Sequence, residues 1–173
     1  MSKKVFIPGG AGYLGSILCE HLLAKGYQVT VLDNLMYRQR TLFHFCNNPN
    51  FEYVFGDVRD EKLLGELAQQ SDVVIPLAAI VGAPACKREP KLTVEIHVDS
   101  MRTLRKNLTN NQLVIYPTTN SGYGTQTGEV FCTEDTPLDP ISLYGETKVQ
   151  AETEWLEYSN GITLRLATVF GMS

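Results

Sequence analysis

Short apolar segments alternate with longer amphipathic segments along most of this chain. The apolar segments have the length and residue types of buried strands, and they lie at Lys4–Pro8, Gln28–Asp33, Phe51–Phe55, Asp72–Leu77, Leu113–Tyr116 and Ile162–Leu166. Helical periodicity covers Ser16–Lys25, Glu61–Gln70, Pro90–Asn107 and Ser142–Tyr158. Strands that are joined by helices predict an α/β fold, a Rossmann-type doubly wound parallel sheet with right-handed crossovers.

A glycine-rich turn separates the first predicted strand from the first predicted helix. Gly9 permits a tight turn, Gly12 lets a pyrophosphate approach the backbone, and Gly15 lets the helix pack closely on the strand. The spacing is G-x-x-G-x-x-G rather than G-x-G-x-x-G, and three glycines alone are also typical of loops that bind nothing. The strand before the turn, the helix after it and the acid Asp33 together indicate a dinucleotide-binding site.

Asp33 is placed to select the cofactor because it ends the second predicted strand. A carboxylate there accepts both hydroxyls of an adenosine ribose and repels a 2′-phosphate, so the sequence favours NAD over NADP. Arg38 and Arg40 follow closely and are basic enough to hold a phosphate. Beside Asp33 we interpret them as solvated loop charges.

Length and composition exclude several classes of protein. A chain of 173 residues fits one domain, and its net charge of -4 without a basic patch argues against a nucleic-acid partner. No apolar run has membrane-spanning length and no signal peptide precedes the first strand, so we expect a cytoplasmic protein with no membrane partner. The four cysteines lack zinc spacing, which predicts reduced thiols and no metal site.

The candidate chemistry lies in one pair and one neighbouring loop. Tyr144 and Lys148 are one helical turn apart, and an ammonium near a phenol lowers the pKa of the phenol and makes it a better base. An ordinary surface lysine beside a half-buried tyrosine explains the pair equally well when it is taken alone. Thr119 follows the fifth predicted strand, where its hydroxyl can reach the same substrate atom as Tyr144.

Five motifs in this order resemble the extended short-chain dehydrogenases/reductases, in the branch of nucleotide-sugar epimerases and dehydratases. They are Gly9-x-x-Gly12-x-x-Gly15, Asp57-Val58, Leu77-Ala78-Ala79, Thr119 ahead of Tyr123-Gly124, and Tyr144-x-x-x-Lys148. The segments 81–88 and 119–124 are most similar to the bacterial GDP-heptose 4-dehydrogenase group. The resemblance covers the whole chain.

The resemblance implies a role in NAD binding or catalysis for each matching residue. Thr119, Tyr144 and Lys148 are the implied catalytic residues, and Lys148 also bonds the nicotinamide ribose. The pyrophosphate lies on Tyr13 and Leu14, the adenosine ribose on Asp33, Asn34 and Leu35, and the adenine between Asp57 and Val58. The nicotinamide is bordered by Leu77, Ala78, Ala79, Val81 and the segment 166–168 with Ala167 at its centre.

The chain departs from the family pattern at two places. Asn120 and Ser121 stand where the dehydratases have Asp-Glu, and an amide and a hydroxyl cannot act as the acid and base that eliminate water. His97 stands where the family commonly has Asn. We include His97 among the cofactor-site residues because its imidazole can bond backbone near the active site, and a purely structural histidine is the favoured alternative.

These observations predict the NAD-binding half of a larger enzyme. We expect residues 1–173 to form the NAD-binding domain, and the substrate-binding domain that the family carries beyond this point is absent from this chain. The expected activity is NAD-dependent oxidation at C4 of a nucleotide-linked sugar such as GDP-heptose, which gives a 4-keto sugar. The alternatives are a nucleotide-sugar 4-epimerase and a non-catalytic NAD-binding fragment.

The resemblance also implies a homodimer. In the family the helices that match Pro90–Asn107 and Ser142–Tyr158 pair with a second copy as a four-helix bundle. Leu104, Leu108, Val149 and Trp155 are the apolar residues that these helices offer. The alternative is that these four side chains are buried within one chain.

Overall fold

The computed structural model describes residues 2–125 and 131–171, and they form one parallel sheet with helices on both faces. The strands are β1 (Lys4–Pro8), β2 (Gln28–Asp33), β3 (Phe51–Phe55), β4 (Val73–Val74), β5 (Leu113–Thr119) and β6 (Gly161–Leu166). Their order across the sheet is β3-β2-β1-β4-β5-β6, and every pairing is parallel. The predicted fold class is therefore confirmed. In this order the connections reverse between β1 and β4, which opens a crevice at the carboxyl ends of the strands.

The helices are α1 (Tyr13–Ala24), α2 (Glu61–Gln69), α3 (Ala83–Arg88), α4 (Pro90–Val94), α5 (Ser100–Asn107) and α6 (Leu143–Leu156). A π-helical turn, Glu95–Asp99, joins α4 to α5, so the predicted helix Pro90–Asn107 exists but is not regular. Asp60 caps α2 and Ser142 caps α6, each through a side-chain oxygen that accepts a backbone hydrogen bond. The short helix α3 was not predicted, because its six residues are too few to show helical periodicity.

Three of the differences from the predicted element boundaries affect the site. Helix α1 begins at Tyr13 rather than Ser16, which brings its amino end directly onto the glycine-rich turn. Strand β4 was predicted to be six residues long but pairs over only two, Val73 and Val74. Strand β5 continues to Thr119, three residues beyond its predicted end. The carboxyl half of β5 therefore pairs with β6 and separates from β4.

Pro117 explains why β5 was predicted to be too short. Proline has no N–H to donate, so it normally ends a central strand. Leu113 donates its N–H toward β4, to Asp72 O, and Pro117 faces the same side because alternate residues of a strand point their backbone groups the same way. The pairing of β4 with β5 has ended before Pro117 is reached. The missing N–H of Pro117 therefore costs no bond in the sheet.

Each face of the sheet has its own apolar core. Phe6, Leu104 and Trp155 belong to the core beneath α2, α5 and α6, and Ile7 and Cys19 belong to the core beneath α1. All five are completely buried. Because each side chain removed from water contributes roughly 1.5–3 kcal/mol, these two cores hold the strand ends in place.

The apolar residues that were predicted to form a dimer interface lie within the chain instead. Leu104 and Trp155 are completely buried, Leu108 is buried, and Val149 is half-buried beside Gly122. For Leu104, Leu108 and Trp155 the alternative of burial within one chain is therefore correct, because the chain's own core covers them. Between the outer surfaces of α5 and α6 lies an ion pair instead, from Arg102 to Glu154 at 3.2 Å. Within residues 2–125 and 131–171, no helix is both long and apolar enough to cross a bilayer.

Candidate active site

A cavity of about 670 Å³ opens at the carboxyl ends of the strands, where the sheet topology reverses. It runs from the loop after β2 to the amino end of α6. All but one of the predicted site residues line it: Gly9, Gly12, Tyr13, Leu14, Gly15, Asp33, Asn34, Leu35, Asp57, Val58, Leu77, Ala78, Ala79, Val81, Thr119, Tyr144, Lys148 and Ala167. The exception is His97. The fold thus brings together residues from seven separate segments of the chain.

Gly9 places the glycine-rich turn against the loop after β4. Its φ is +79°, and a Cβ there would lie 2.3 Å from the backbone nitrogen of Ala78. A side chain at Gly15 would collide with Gly10 O at 2.4 Å. Both positions therefore need glycine for the fold itself, as a tight turn and a close approach require.

Gly12 differs from its two neighbours in the motif. Its φ is -72°, which any residue adopts, and an added Cβ would meet only Gly9 O at 3.5 Å. The fold does not need glycine here, whereas a ligand that approaches the backbone does. Gly12 is also the N-cap of α1 and gives the helix no side-chain cap. The amino end of α1, with its positive dipole end, therefore faces the cavity as an anion site.

The carboxylate of Asp33 is fixed by two backbone groups. Its Oδ2 accepts a hydrogen bond from Ala11 N at 3.0 Å, and its Oδ1 accepts one from Leu35 N at 2.8 Å. Leu35 has φ of +53°, an uncommon conformation for this residue type, and the bond to Asp33 helps to hold it. Each carboxylate oxygen retains a lone pair for a ribose hydroxyl.

Asp57 anchors the far end of the cavity. Its carboxylate accepts hydrogen bonds from Arg59 and from Asn34 Nδ2 at 2.9 Å, and these donors lower the pKa of Asp57 to about 2. Arg59 also bonds Glu95 Oε2 at 3.1 Å, which ties this loop to the π-helical turn. Asn34 and Asp57, predicted separately as ribose and adenine contacts, are therefore joined.

The predicted nicotinamide side is built from backbone and small side chains. The N–H groups of Leu77 and Ala78 both donate to Pro8 O, at 2.8 and 2.9 Å, which fixes the loop after β4 beside β1. Val81 stands at the rim with 71% of its surface exposed. Ala167 follows β6 and is exposed on the cavity wall.

Tyr144 lies in the first turn of α6, half-buried at the cavity wall. Burial raises its pKa, and a hydrogen bond with Thr119 opposes this shift. The expectation that Lys148 lowers the pKa of Tyr144 is therefore not met in this structure. The reason is geometric, because the Lys148 ammonium donates to Pro117 O at 3.0 Å.

Lys148 is buried, and its ammonium is surrounded by groups of the protein itself. Its Nζ lies 4.3 Å from the centre of the Tyr116 ring, and burial lowers its pKa to about 8, against the opposing charge of Glu152. Pro117 O is free to accept a hydrogen bond from Lys148 because β4 has already separated from β5 at this point. The strand separation that opens the cavity thus also supplies the acceptor for Lys148.

A buried ion pair behind Lys148 was missed from the sequence. Glu152 is 2% exposed and accepts a hydrogen bond from Arg165 Nε at 2.9 Å. Arg165 also donates to the hydroxyl of Tyr123 at 3.1 Å. The signal was present, since Tyr144, Lys148 and Glu152 are spaced by four residues and share one face of α6.

Thr119 ends β5 and is held by the residue two positions on. Its Oγ1 accepts from Ser121 N and donates to Ser121 Oγ, both at 3.1 Å. Asn120 and Ser121 are both exposed at the cavity. The two positions that carry an acid pair in dehydratases therefore present an amide and a hydroxyl to a bound substrate.

His97 does not line the cavity. It is 2% exposed on the π-helical turn, and both ring nitrogens have partners inside the protein. Nε2 accepts from Ile80 N at 3.0 Å, and Nδ1 lies 2.8 Å from Thr147 Oγ1. His97 is therefore a structural histidine that hydrogen-bonds the backbone next to the site, as the favoured alternative expected. It does not lie where it could contact a cofactor directly.

A comparison with models of protein families adds independent evidence. Residues 5–173 match the NAD dependent epimerase/dehydratase family. The chain belongs to this family. The predictions of an enzyme family of the epimerase/dehydratase type and of NAD as its cofactor are therefore confirmed.

Characterised members of the family are similar over most of this chain. It is 32% identical over 179 aligned positions to UDP-glucose 4-epimerase of Lactobacillus helveticus, which covers 98% of this chain and 53% of that protein. It is 34% identical over 125 positions to UDP-N-acetyl-alpha-D-glucosaminuronate decarboxylase of Bacillus cytotoxicus, which covers 72% of this chain and 39% of that protein. The chain thus spans about half or less of the length of these relatives.

Solved structures of the family have the same fold. The Bordetella bronchiseptica enzyme WbmH in complex with NAD+ superimposes with a TM-score of 0.83 at 30% identity, over 99% of this chain and 57% of that one. The WbmG enzyme of the same organism, also in complex with NAD, gives a TM-score of 0.85 at 26% identity, over 99% and 55%.

Proposed function

We propose that these residues are the NAD-binding and catalytic half of an enzyme that oxidises C4 of a nucleotide-linked sugar. The observation that carries the proposal is the meeting of Thr119, Tyr144 and Lys148 at one end of a cavity whose other end holds Asp33. The family match and the relatives that act on UDP-sugars support it.

The cavity suits NAD in three respects. The amino end of α1 and the bare backbone at Gly12 suit a pyrophosphate. The Asp33 carboxylate retains acceptor positions for the hydroxyls of a ribose. Asp57 and Val58 flank the remaining space beyond Asp33, where an adenine ring would lie. Bound NAD supplies a hydride acceptor for C4, so that the sugar becomes a 4-keto sugar.

Tyr144 takes the proton of the C4 hydroxyl in this mechanism. As the carbon–hydrogen bond at C4 breaks, the hydroxyl oxygen forms a double bond to carbon and its proton passes to the phenolate of Tyr144. Thr119 hydrogen-bonds the same hydroxyl and orients it, since Thr119 itself is fixed by Ser121. Lys148, which donates one hydrogen bond to Pro117 O, has further N–H donors to offer the nicotinamide ribose when it is charged.

The final product of the reaction distinguishes the two candidate enzymes, an oxidoreductase and a 4-epimerase. Release of the 4-keto sugar makes the protein an oxidoreductase, and return of the hydride to the opposite face makes it a 4-epimerase. Asn120 and Ser121 argue against 4,6-dehydration, because neither side chain can act as the acid or base of an elimination. We place GDP-heptose first among the substrates to test, on the resemblance of segments 81–88 and 119–124 to GDP-heptose 4-dehydrogenases, and UDP-sugars second.

A non-catalytic NAD-binding fragment is the second candidate function. The residues that suit the pyrophosphate and the ribose would serve such a fragment equally well. Tyr144 and Lys148 argue against it, since a protein that only senses the cofactor needs neither a base nor a buried ammonium beside it.

Two measurements test the proposal. A thermal melt of the chain should move upward with NAD or NADH, because a ligand that binds only the folded state stabilises it by mass action. Single-turnover mixing of the intact protein with NAD and GDP-, UDP- or dTDP-sugars should then produce the absorbance of NADH. A melt that does not move at millimolar NAD contradicts cofactor binding, and binding without NADH formation favours the second candidate.

The proposal includes a homodimer, which the family resemblance implies. Leu104, Leu108 and Trp155 are buried within the chain, so the pairing would use the outer surface of α4, α5 and α6. Light scattering at tens of micromolar protein should give twice the mass of one chain, and a monomeric mass contradicts the dimer.

A further inference from the structure

We propose that His97 is a positioning residue that fixes the first turn of α6, and Tyr144 with it, against the loop after β4. This inference rests on the proposed function only in taking Tyr144 as the base. His97 joins three segments: the loop that contains Ile80, the π-helical turn on which His97 lies, and α6 through Thr147.

The hydrogen bonds around His97 assign its tautomer. Ile80 N can only donate, so the Nε2 that accepts from it at 3.0 Å has no proton. In the neutral ring the proton then lies on Nδ1, which donates to Thr147 Oγ1 at 2.8 Å. The Thr147 hydroxyl in turn lies 2.8 Å from Leu143 O and 3.2 Å from Tyr144 O, both of which can only accept its proton. The donors and acceptors are thereby assigned along the whole path, which runs from Ile80 to the first turn of α6.

The ring of His97 also forms the wall behind Tyr144. The two rings meet edge to face, with centroids 5.9 Å apart and an interplanar angle of 76°. Such pairs contribute packing energy that depends on their geometry. Ile80 is hydrogen-bonded to the imidazole and Ile96 precedes His97 in the chain. Both isoleucines line the cavity. A displacement of His97 would therefore reach both the tyrosine and the cavity wall.

The π-helical turn is what brings the imidazole to this place. Ile96, His97 and Val98 are consecutive and all buried. A regular α-helix turns by about 100° per residue, so three consecutive side chains do not normally share one buried side. The wider π turn allows it, and such turns are frequent at functional sites.

The surroundings keep the ring uncharged. Burial and the charge of Lys148 lower the pKa of His97 to about 4. Tyr144 on α6 and Cys86 on α3 are the other titratable groups of this cluster, and Glu95 and Asp99 lie on its own turn. The neutral ring, and with it the bond from Ile80, therefore persists at neutral pH.

The first test reads the tautomer directly in the 173-residue chain without any ligand. Nitrogen–proton correlation spectra of the histidine side chains, assigned with His97→Phe, should show His97 protonated at Nδ1 only, with no titration above pH 5. A ring that is protonated at Nε2, or one that is charged at neutral pH, overturns the proposal. This measurement does not depend on NAD binding, so its failure is distinct from failure of the proposed function.

The second test asks whether His97 controls Tyr144. The phenol of Tyr144, carbon-labelled and assigned with Tyr144→Phe, reports its pKa. In His97→Phe and in Thr147→Val the bridge is cut and α6 loosens, and we expect the raised pKa of Tyr144 to fall toward that of a free phenol as water reaches it. In His97→Asn, which retains a donor near the Nδ1 position, the pKa of Tyr144 should fall by less.

A matched variant separates positioning from general destabilisation. Leu23→Ala removes a buried side chain from α1, on the opposite face of the sheet, and lowers the stability of the chain by leaving a cavity there. It should leave the titration of Tyr144 unchanged. If Leu23→Ala moves this pKa as far as Thr147→Val does, or if neither His97→Phe nor Thr147→Val moves it, His97 is only a core residue and the proposal fails.

Discussion

Asp33 and Ala11 are joined by a hydrogen bond of 3.0 Å, from the Ala11 N–H to the Asp33 carboxylate. This bond ties the end of β2 to the glycine-rich turn. The same carboxylate is the proposed acceptor for the ribose hydroxyls of NAD. In the proposed function one side chain therefore both holds the glycine-rich turn and selects the cofactor, so replacing Asp33 has two consequences that must be separated.

Asp33→Asn should narrow the preference for NAD over NADP. The amide keeps the size of the side chain but removes the charge that repels a 2′-phosphate. We expect NAD affinity to fall by about tenfold, the loss of roughly one charge-assisted hydrogen bond, and NADP affinity to fall less or to rise. Calorimetric titration with both cofactors measures the ratio.

Asp72→Asn is the matched control for Asp33→Asn. Asp72 accepts a hydrogen bond from Lys4 N at the amino ends of the strands, whereas the cavity lies at their carboxyl ends. Asp72→Asn changes the net charge by the same amount as Asp33→Asn. Asp72→Asn should prefer NAD over NADP to the same degree as the unchanged protein. If the unchanged protein already binds NADP as well as NAD, the role assigned to Asp33 is wrong.

Gly12→Ala should remove NAD binding without unfolding the chain. The backbone at Gly12 is extended, and the new Cβ would meet only Gly9 O at 3.5 Å, so we expect a change in melting temperature of a few degrees at most. The Cβ would occupy the space into which a pyrophosphate must come. Isothermal titration should show at least about a tenfold loss of NAD affinity.

Two other glycines provide the comparison for Gly12→Ala. Gly26 has φ of +80° with nothing near its Cβ position, so Gly26→Ala should cost about 1 kcal/mol of stability and leave NAD binding intact. Gly9→Ala should unfold the chain, because its Cβ would overlap Ala78 N. Retention of parent affinity by Gly12→Ala would show that the phosphates lie elsewhere.

The features that the sequence predicts correctly are local in the chain. Strands β1 and β2 are defined by short-range patterns, and their ends at Lys4, Pro8, Gln28 and Asp33 agree with the prediction to the residue. The parallel sheet then follows from the alternation of strands and helices. A continuous local pattern needs no knowledge of distant contacts.

The features that were missed depend on contacts between distant segments. The sequence shows a proline in a strand, but only the separation of β4 from β5 shows that Pro117 O is left for Lys148. The pKa of Tyr144 was expected to fall beside Lys148, yet burial raises it. His97 was placed near the active site, but its tautomer depends on Ile80 and Thr147, which lie 17 and 50 residues away.

Lys148→Met should stabilise the ligand-free chain and weaken NAD binding. The buried ammonium has its pKa lowered from 10.5 to about 8, so charging it in the folded state costs up to about 3 kcal/mol below pH 8. Methionine fills the same space without this cost. Urea unfolding at pH 7 should give the variant the larger free energy of unfolding.

The difference in stability between Lys148→Met and the parent should depend on pH, because only the parent carries the buried lysine. Between pH 8 and pH 10.5 the unfolded lysine still carries a proton that the folded lysine has lost, so the stability of the parent rises with pH through this window. Lys148→Met lacks that rise, and its advantage should shrink toward zero above pH 10.5. A difference that is constant from pH 7 to 11 contradicts the lowered pKa.

Tyr144→Phe should abolish hydride transfer and leave NAD affinity nearly unchanged, because the phenol oxygen takes the substrate proton and does little to hold the cofactor. In single-turnover reduction of bound NAD by the intact protein, we expect a loss of about 10²–10⁴-fold, the contribution of a general base. Thr119→Val should lose about tenfold, since one orienting hydrogen bond disappears while the base stays. Tyr37→Phe removes a hydroxyl from an exposed tyrosine at the other end of the cavity and should keep the parent rate. If Tyr144→Phe also keeps the parent rate, the proton passes to another group and the assigned mechanism fails.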